Sequence, residues 1–366
     1  MVEDKMSNIL FIAWNNMGNE FTGGDRIWIE LMKRWKNVTL CGCREAIDLY
    51  NDVRGKKVSP TLWNITRNTI IKTFKGLKSL PTAKFDYIYS TSDFYPDLLP
   101  ALLYKHHHPT TKWLAAYYLI APPSFSTTTP YKQSFALVFK GFLYWLMQRV
   151  SLWLVNRYAD VVMITSEPDK RYFPNKKVVV VRGGVTRFGE RNKVHKYDAI
   201  YIGRFHYQKG VVELINMWRE LQSIMPKARL CMIGDGPLLG ECADLAHGLN
   251  IEFVGYQNNE YKYELIKQSK IVLHPATYDS GGMACAEAMA FGLPAVGFNL
   301  PAFHTYYPKG MLRVKNKESF INAIIQLSYD NYLYHSTSVD AYTLVYKHWN
   351  WDNRAKEIWE CIQKSV

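Results

Sequence analysis

Asp279 and Glu287 stand eight positions apart, on either side of Gly281-Gly282. Two carboxylates around a bare backbone can grip a hydroxyl-rich ligand while the glycines let an anion approach the chain. Residues 274–298 read as a strand, Pro275, the glycine pair, and a helix from about Met283 that stops at Gly292-Leu293-Pro294. In that arrangement the backbone amides of Gly282, Met283 and Ala284 are helix-start donors aimed at an anion. Helical side chains lean toward the N-terminus, so Glu287, about one turn in, points back toward the ligand. A carboxylate so near phosphate oxygens would repel them. Sugar hydroxyls suit Glu287 better, and Asp279, before the turn, suits a second sugar. The pair fits a nucleotide sugar and fits a simple phosphate poorly. A turn that happens to carry acids is the competing reading.

Two further segments belong to the same half of the chain. Residues 201–210 end a strand at Gly203 and place Arg204 and Lys209 in the turn before a helix. Two cations there can clamp a diphosphate, Arg as a planar fork and Lys as a point charge, although surface Arg and Lys are often only solvated. Gly234-Asp235-Gly236-Pro237 turns another strand into a helix, and the bare backbone at Gly236 lets a base or ribose come close. A plain turn is an equal reading of Gly236-Pro237.

The elements that must position these residues alternate. Ile9–Trp14, Val38–Cys41, Tyr87–Ser90, Lys112–Ala116, Val161–Thr165 and Val178–Val181 read as buried strands separated by helical patterns. Gly23-Gly24 lead into a helix over residues 25–35. The second half repeats the grammar with Ala199–Gly203, Leu230–Gly234, Glu252–Val254, Ile271–Leu273 and Ala295–Gly297. Strands separated by helices imply parallel sheets covered on both faces. Residues 182–196 are polar and charged and read as a linker. The expected architecture is α/β, with two doubly wound Rossmann-like domains facing a central cleft and ligands at the carboxyl ends of the strands. The domains are expected at 1–188 and 189–348. A final amphipathic helix within 349–366 is expected to pack back toward the first.

A chain of 366 residues suits two domains of ordinary size. With 48% hydrophobic and 21% charged residues it is globular, which excludes a disordered chain. The formal net charge is +13, and residues 1–190 hold 26 basic against 15 acidic side chains while residues 191–366 hold 19 against 17. The first half therefore carries most of the positive field and is the half to expect near an anionic surface. The six cysteines form no Cys-x-x-Cys pair and no ligand-like spacing with His, so they read as reduced thiols of a cytosolic protein, with no metal site. Three adjacent side chains, His106-His107-His108, cannot all face one ion and read as a solvated loop before Pro109. The opening residues lack a secretory pattern, and no stretch reaches the roughly 18 apolar residues of a transmembrane helix.

The three segments around Arg204, Gly236 and Asp279 resemble the second domain of the retaining glycosyltransferases of family 4, which have the GT-B fold. The resemblance covers most of residues 199–300. It rests on the E-x7-E motif, here Asp279 to Glu287, and on the run Glu287-Ala288-Met289-Ala290-Phe291-Gly292-Leu293-Pro294. Gly23-Gly24 with its helix, Gly183-Gly184-Val185 and Trp351 are weaker matches. The resemblance implies a donor UDP- or GDP-sugar and no other cofactor. It implies that Arg204 and Lys209 bind the donor diphosphate, that Gly282 and Met283 supply amides to it, and that Glu287 holds the ribose. Asp279 stands where the family has Glu and would contact the transferred sugar with a reach shorter by one methylene. The family often has a His after a strand of the first domain. Here Tyr117 and Tyr118 follow the strand instead, either to orient a substrate or to pack. The Gly23-Gly24 loop would face the diphosphate. Fixed cations and helix-start dipoles would stabilise the leaving group without a metal, since no Asp-x-Asp pair occurs. Attack on the front face, with retention, follows the family.

Residues 62–80 carry Arg67, Lys72, Lys75 and Lys78 among Trp63, Ile70, Ile71, Phe74 and Leu77 at helical spacing. That pattern fits a helix lying in a membrane interface, where each basic residue is worth about 1 kcal/mol, and an ordinary core-facing helix with a solvated basic face is the competing reading. Residues 135–155 add a second apolar, aromatic stretch with isolated cations, which packs in a core or meets lipid. The expected protein is thus a hexose transferase, peripheral at the cytoplasmic face of an anionic membrane, acting on a lipid-linked or glycan acceptor. An epimerase or phosphorylase of the same fold is the alternative. A basic nucleic-acid-binding protein is a third class, and no nucleic-acid partner is expected because no such motif is present.

Overall fold

The structure is a computed structural model that describes residues 7–15, 23–44, 46–47, 62–121, 135–181, 183–279 and 281–365. Two compact units emerge, Met1–Gly183 with Asp352–Val366, and Gly184–Trp351. The boundaries fall at 183/184 and 351/352, against 188/189 and 348/349 read from the sequence.

Unit 1 runs β1 (Ile9–Ala13), α1 (Gly23–Arg34), β2 (Val38–Gly42), α2 (Leu62–Lys78), β3 (Tyr87–Ser90), α3 (Tyr95–His107), β4 (Lys112–Ala116), α4 (Phe135–Tyr158), β5 (Val161–Ile164) and β6 (Lys177–Val180). The six strands pair in parallel in the order β2-β1-β3-β4-β5-β6. Right-handed crossovers put α1 on one face and α2, α3 and α4 on the other. There α2 packs on α3, and α3 on α4. The apolar strands are buried throughout β1 and β5, and Phe11 stacks on Tyr89 with centroids 4.7 Å apart. A helix from the far end of the sequence, α12 (Trp351–Ser365), covers α1. Trp35 Nε1 donates to the Ala355 carbonyl at 3.0 Å, its ring lies 5.0 Å from that of Trp359, and Arg34 pairs with Asp352 at 2.6 Å. His106 and His107 belong to the last turn of α3 rather than to a loop. Lys105 there donates to the carbonyls of Pro109 and Thr111 and to Asp160, which ties the last turn of the helix to the segment that follows it.

Unit 2 runs β7 (Tyr197–Ile202), α5 (Val211–Ile224), β8 (Leu230–Ile233), α6 (Leu239–Leu245), β9 (Ile251–Gly255), α7 (Asn259–Lys267), β10 (Ser269–His274), α8 (Met283–Met289), β11 (Ala295–Phe298), α9 (Pro301–Tyr306), β12 (Met311–Val314), α10 (Lys317–Tyr329) and α11 (Asn331–His348). Its parallel order is β12-β11-β10-β7-β8-β9. The chain steps outward through β7, β8 and β9 and returns to β10 beside β7. The strand order therefore reverses between β7 and β10, which opens a crevice at their carboxyl ends. The core divides accordingly. Val211, Leu214 and Trp218 of α5 pack on one face with Phe320 and Ile324 of α10. Tyr263 and Ile266 of α7, Ala286 and Met289 of α8, Phe303 of α9 and Val345 of α11 pack on the other. Strand β12 was not among the strands expected from the sequence.

Candidate functional site

The crevice between β7 and β10 gathers the residues singled out in the sequence. Strand β7 ends before Gly203, and a 3-10 turn, Tyr207–Lys209, leads into α5 through Gly210. Gly210 has φ 63°, and a Cβ there would lie 2.1 Å from the carbonyl oxygen of Pro275. Only glycine allows both the left-handed backbone and this approach of the two loops. The approach sets Lys209 Nζ 2.5 Å from Asp279 Oδ2. Asp279 Oδ1 accepts from the amides of Gly281 at 3.1 Å and Gly282 at 3.3 Å. Gly282 itself sits at φ 59° and opens α8. Tyr307 closes the turn from below, donating its hydroxyl to the carbonyls of Gly281 and Gly282.

The short acid at 279 thus has a local reason. Its reach suits a turn onto the amides two and three residues ahead, a bond that Asp makes readily. His274, at the end of β10, brings Nε2 to 3.2 Å from Asp279 Oδ2 without the alignment of a hydrogen bond. Burial acts to raise the Asp279 carboxyl, yet Lys209 and His274 together outweigh it and hold it well below the usual carboxylate range. The field at this crevice is positive. His206 is pushed down to about 4 by burial and by the neighbouring Arg204 and Lys209, so its imidazole is neutral at pH 7. Arg204 is exposed at the mouth, and its carbonyl accepts from the Tyr201 hydroxyl at 2.9 Å.

Glu287 lies one turn into α8 and is 3% exposed. Its Oε2 is 2.7 Å from Lys262 Nζ, on α7 of the same sheet face. Met283 and Ala284 open α8 beside Gly282. Gly236, at φ 155°, lies against the Phe205 backbone. At Gly281, by contrast, a Cβ would meet only the Tyr306 ring at 3.7 Å among the described residues. The protein's own packing leaves that position open to a ligand.

Unit 1 holds the remaining residues. Gly23 and Gly24 begin α1, and the loop that precedes them lies outside the described residues. Tyr117 is fully buried. Its hydroxyl donates to the Gln148 carbonyl at 3.1 Å and meets Ser151 Oγ at 3.1 Å, and burial pushes its phenol up. The packing alternative describes this side chain. Tyr118 pairs its hydroxyl with that of Tyr89. Beside them stand two buried carboxylates that sequence reasoning missed. Asp93 accepts from Gln148 Nε2 at 2.9 Å, and burial raises it to about 6. Asp97 accepts from the amides of Trp14 and Asn15 and from the hydroxyls of Thr91 and Ser92, and burial raises it to about 7. Lys262 and His274 were missed as well. Among the described residues, no group of three or more His, Cys, Asp and Glu could hold a metal ion.

On α2, Arg67, Lys75 and Lys78 are exposed, while Lys72 turns toward Cys43 Sγ at 3.6 Å. Ile70, Ile71 and Phe74 are exposed beside them, Phe74 by 62%. On α4, Gln148, Ser151, Leu152 and Val155 face inward, whereas Phe139, Leu146, Val150 and Trp153 are exposed at helical spacing with Arg149 and Arg157. No helix among the described residues is long and apolar enough to cross a membrane.

Residues 185–343 match the family model described as Glycosyl transferases group 1. Among curated proteins, an uncharacterized glycosyltransferase of Methanocaldococcus jannaschii is 27% identical over 172 residues, 43% of this chain and 42% of that protein. A GDP-mannose-dependent alpha-(1-6)-phosphatidylinositol dimannoside mannosyltransferase of Mycobacterium tuberculosis is 30% identical over 98 residues, 26% of each chain. The match to the first of these thus spans less than half of its length. Among solved structures, Anabaena HepE in complex with UDP-glucose superposes with a TM-score of 0.72 at 15% identity, over 98% of this chain and 100% of that one. Fold and family model agree: the chain has the GT-B glycosyltransferase fold, and its second unit carries the group 1 glycosyl transferase signature.

Proposed function

We propose that the protein is a retaining glycosyltransferase that moves a hexose from a nucleoside-diphosphate sugar to an acceptor that is lipid-linked or held at an anionic membrane surface. The observation that carries this reading is the crevice at the β7/β10 reversal, where Lys209, Asp279 and the Gly281-Gly282 amides meet and Glu287 lies one turn behind. Arg204 and Lys209 supply fixed positive charge to the donor diphosphate, and the amides of Gly282 and Met283 add donors to it. Asp279 holds Lys209 and the amides in position before the donor arrives. A donor phosphate then takes over the amides, and the carboxylate faces the transferred sugar. Glu287 accepts from the ribose hydroxyls. As the glycosidic bond breaks, negative charge grows on the departing diphosphate, where these preorganised donors act most strongly. The acceptor attacks the face from which the diphosphate leaves, which retains the anomeric configuration.

The membrane part of the proposal is supported by unit 1. Helices α2 and α4 contain no acidic residue and carry seven basic ones, with exposed Ile70, Phe74, Leu146, Val150 and Trp153. Apolar side chains flanked by cations on one sheet face suit the interface of an anionic leaflet. In this reading the protein is peripheral at the cytoplasmic face. A relative named a phosphatidylinositol dimannoside mannosyltransferase fits the same picture. The experiment that tests the transferase is a panel of UDP-, GDP- and ADP-sugars scored for binding and hydrolysis. One nucleotide class is expected to bind, and Glu287→Gln is expected to weaken it about tenfold or more, the size of a lost hydrogen bond to a charged group. Binding of none would end the transferase reading, and wild-type behaviour of Glu287→Gln would remove the ribose role.

A further inference from the structure

Lys262 is 8% exposed and Glu287 is 3% exposed, an unusual depth for two charged side chains. Lys262 Nζ lies 2.7 Å from Glu287 Oε2 and 3.1 Å from Asn259 Oδ1. It also sits 5.0 Å from the centre of the Tyr263 ring, which packs on Phe291 in the core. The pair joins α7 to α8 on one face of the sheet, 25 residues apart in sequence. As a device for packing two helices it is a poor one. Removing both charges from water costs about as much as their attraction returns, and apolar residues of similar size would do as well or better. The arrangement makes sense when one of the charges has other work.

We propose that Lys262 is a positioning residue for the donor's ribose. Resting on the reading of Glu287 as the ribose grip, it holds the carboxylate through Oε2 and so fixes the orientation in which that carboxylate meets the ribose hydroxyls. It also supplies the fixed counter-charge that a buried acid needs in order to stay ionised beneath a bound sugar. Asn259, in the first turn of α7, holds the ammonium from the other side, so the orientation is passed from α7 through Lys262 to Glu287. Lys262 thus acts on the donor through Glu287 and touches no reacting atom.

The test compares wild type, Lys262→Met, Lys262→Arg and Glu287→Gln by calorimetric titration with UDP, GDP and inorganic pyrophosphate, with thermal melting as a control for folding. For whichever nucleotide the wild type binds, Lys262→Met is expected to weaken it about 10- to 100-fold, comparable to Glu287→Gln. Pyrophosphate, which has no ribose, is expected to bind both variants as it binds the wild type. Lys262→Arg, which keeps the charge, is expected to recover most of the affinity. Four results would overturn the assignment. One is unchanged nucleotide binding by Lys262→Met in the presence of a damaging Glu287→Gln, which leaves the ribose reading standing. Another is an equal loss of pyrophosphate binding in Lys262→Met, which marks a structural role. A third is a failure of Lys262→Arg to recover affinity while melting normally. The last is a harmless Glu287→Gln, which removes the ribose reading itself.

Discussion

The contact between the loops after β7 and β10 can be tested with two glycines that share a backbone conformation and differ in surroundings. Gly210 has φ 63° and a Cβ position 2.1 Å from the Pro275 carbonyl oxygen, whereas Gly248 has φ 78° and nothing within 4 Å. Replacing either by Ala forces an L-residue into the left-handed region, at about 1 kcal/mol. At Gly248 that is the whole effect. At Gly210 the methyl group must also push a backbone carbonyl aside, which adds about 2 kcal/mol by the usual size of overpacking. For a unit of this size each kcal/mol lowers the melting temperature by about 2–4 °C. Calorimetry should therefore show Gly248→Ala melting about 2–4 °C lower and Gly210→Ala about 6–12 °C lower. The displaced carbonyl belongs to Pro275, four residues before Asp279, so the Lys209–Asp279 pair should loosen and nucleotide binding should weaken in Gly210→Ala alone. Equal melting shifts in the two variants would refute the close approach of the loops and the positioning argument built on it.

Two further outcomes follow from unit 1. Burial raises Asp97 to about 7 from its ordinary value near 3.8, so the native state holds a proton that the unfolded chain releases. The contribution of Asp97 to stability is then fullest below about pH 4 and is lost as pH rises toward 7. Asp97→Asn, whose amide oxygen can still accept from Trp14 and Asn15, should flatten that decline in denaturant titrations between those values, and an unaltered decline would assign it to other groups. At the opposite face of the α3 layer, Phe74→Ser and Trp153→Ser should each reduce recovery with vesicles containing acidic lipid while leaving nucleotide binding intact, and recovery that ignores both the variants and the acidic lipid would remove the membrane surface.

Legibility from sequence followed periodicity. Buried parallel strands are short apolar runs, and eleven of the twelve could be read within a residue or two of their bounds. The exception, β12, is an edge strand interrupted by Arg313, so no apolar run marks it. Helix α4 is apolar around most of its circumference, which hides its inward face from any pattern argument; only the fold separates Gln148, Ser151 and Val155 from Val150 and Trp153. At the crevice, residue types and spacing marked the Lys209 turn and the Asp279–Gly282 turn separately, and the family resemblance joined them in one site. The partners of the two acids were not. A turn from Asp279 onto Gly281 and Gly282 depends on backbone conformation, and the Lys262–Glu287 contact depends on α7 and α8 crossing the same sheet face. Lys262 lies in a stretch that otherwise reads as a solvated helix, and nothing local distinguishes it from Lys267, which is paired at the surface with Glu264.

Helix α12 gives unit 1 an order of assembly. The indole of Trp35 has its hydrogen-bond acceptor at Ala355, and its ring packs on Trp359, more than three hundred residues later. Unit 2 is contiguous between these two parts. During synthesis the first sheet must therefore wait, with the α1 face uncovered, while the whole of unit 2 is made and can fold. A stop within α12 would leave the residues of unit 2 complete and strip the cover from unit 1, so premature termination there should release a chain whose damage, and whose tendency to aggregate, lies at its beginning.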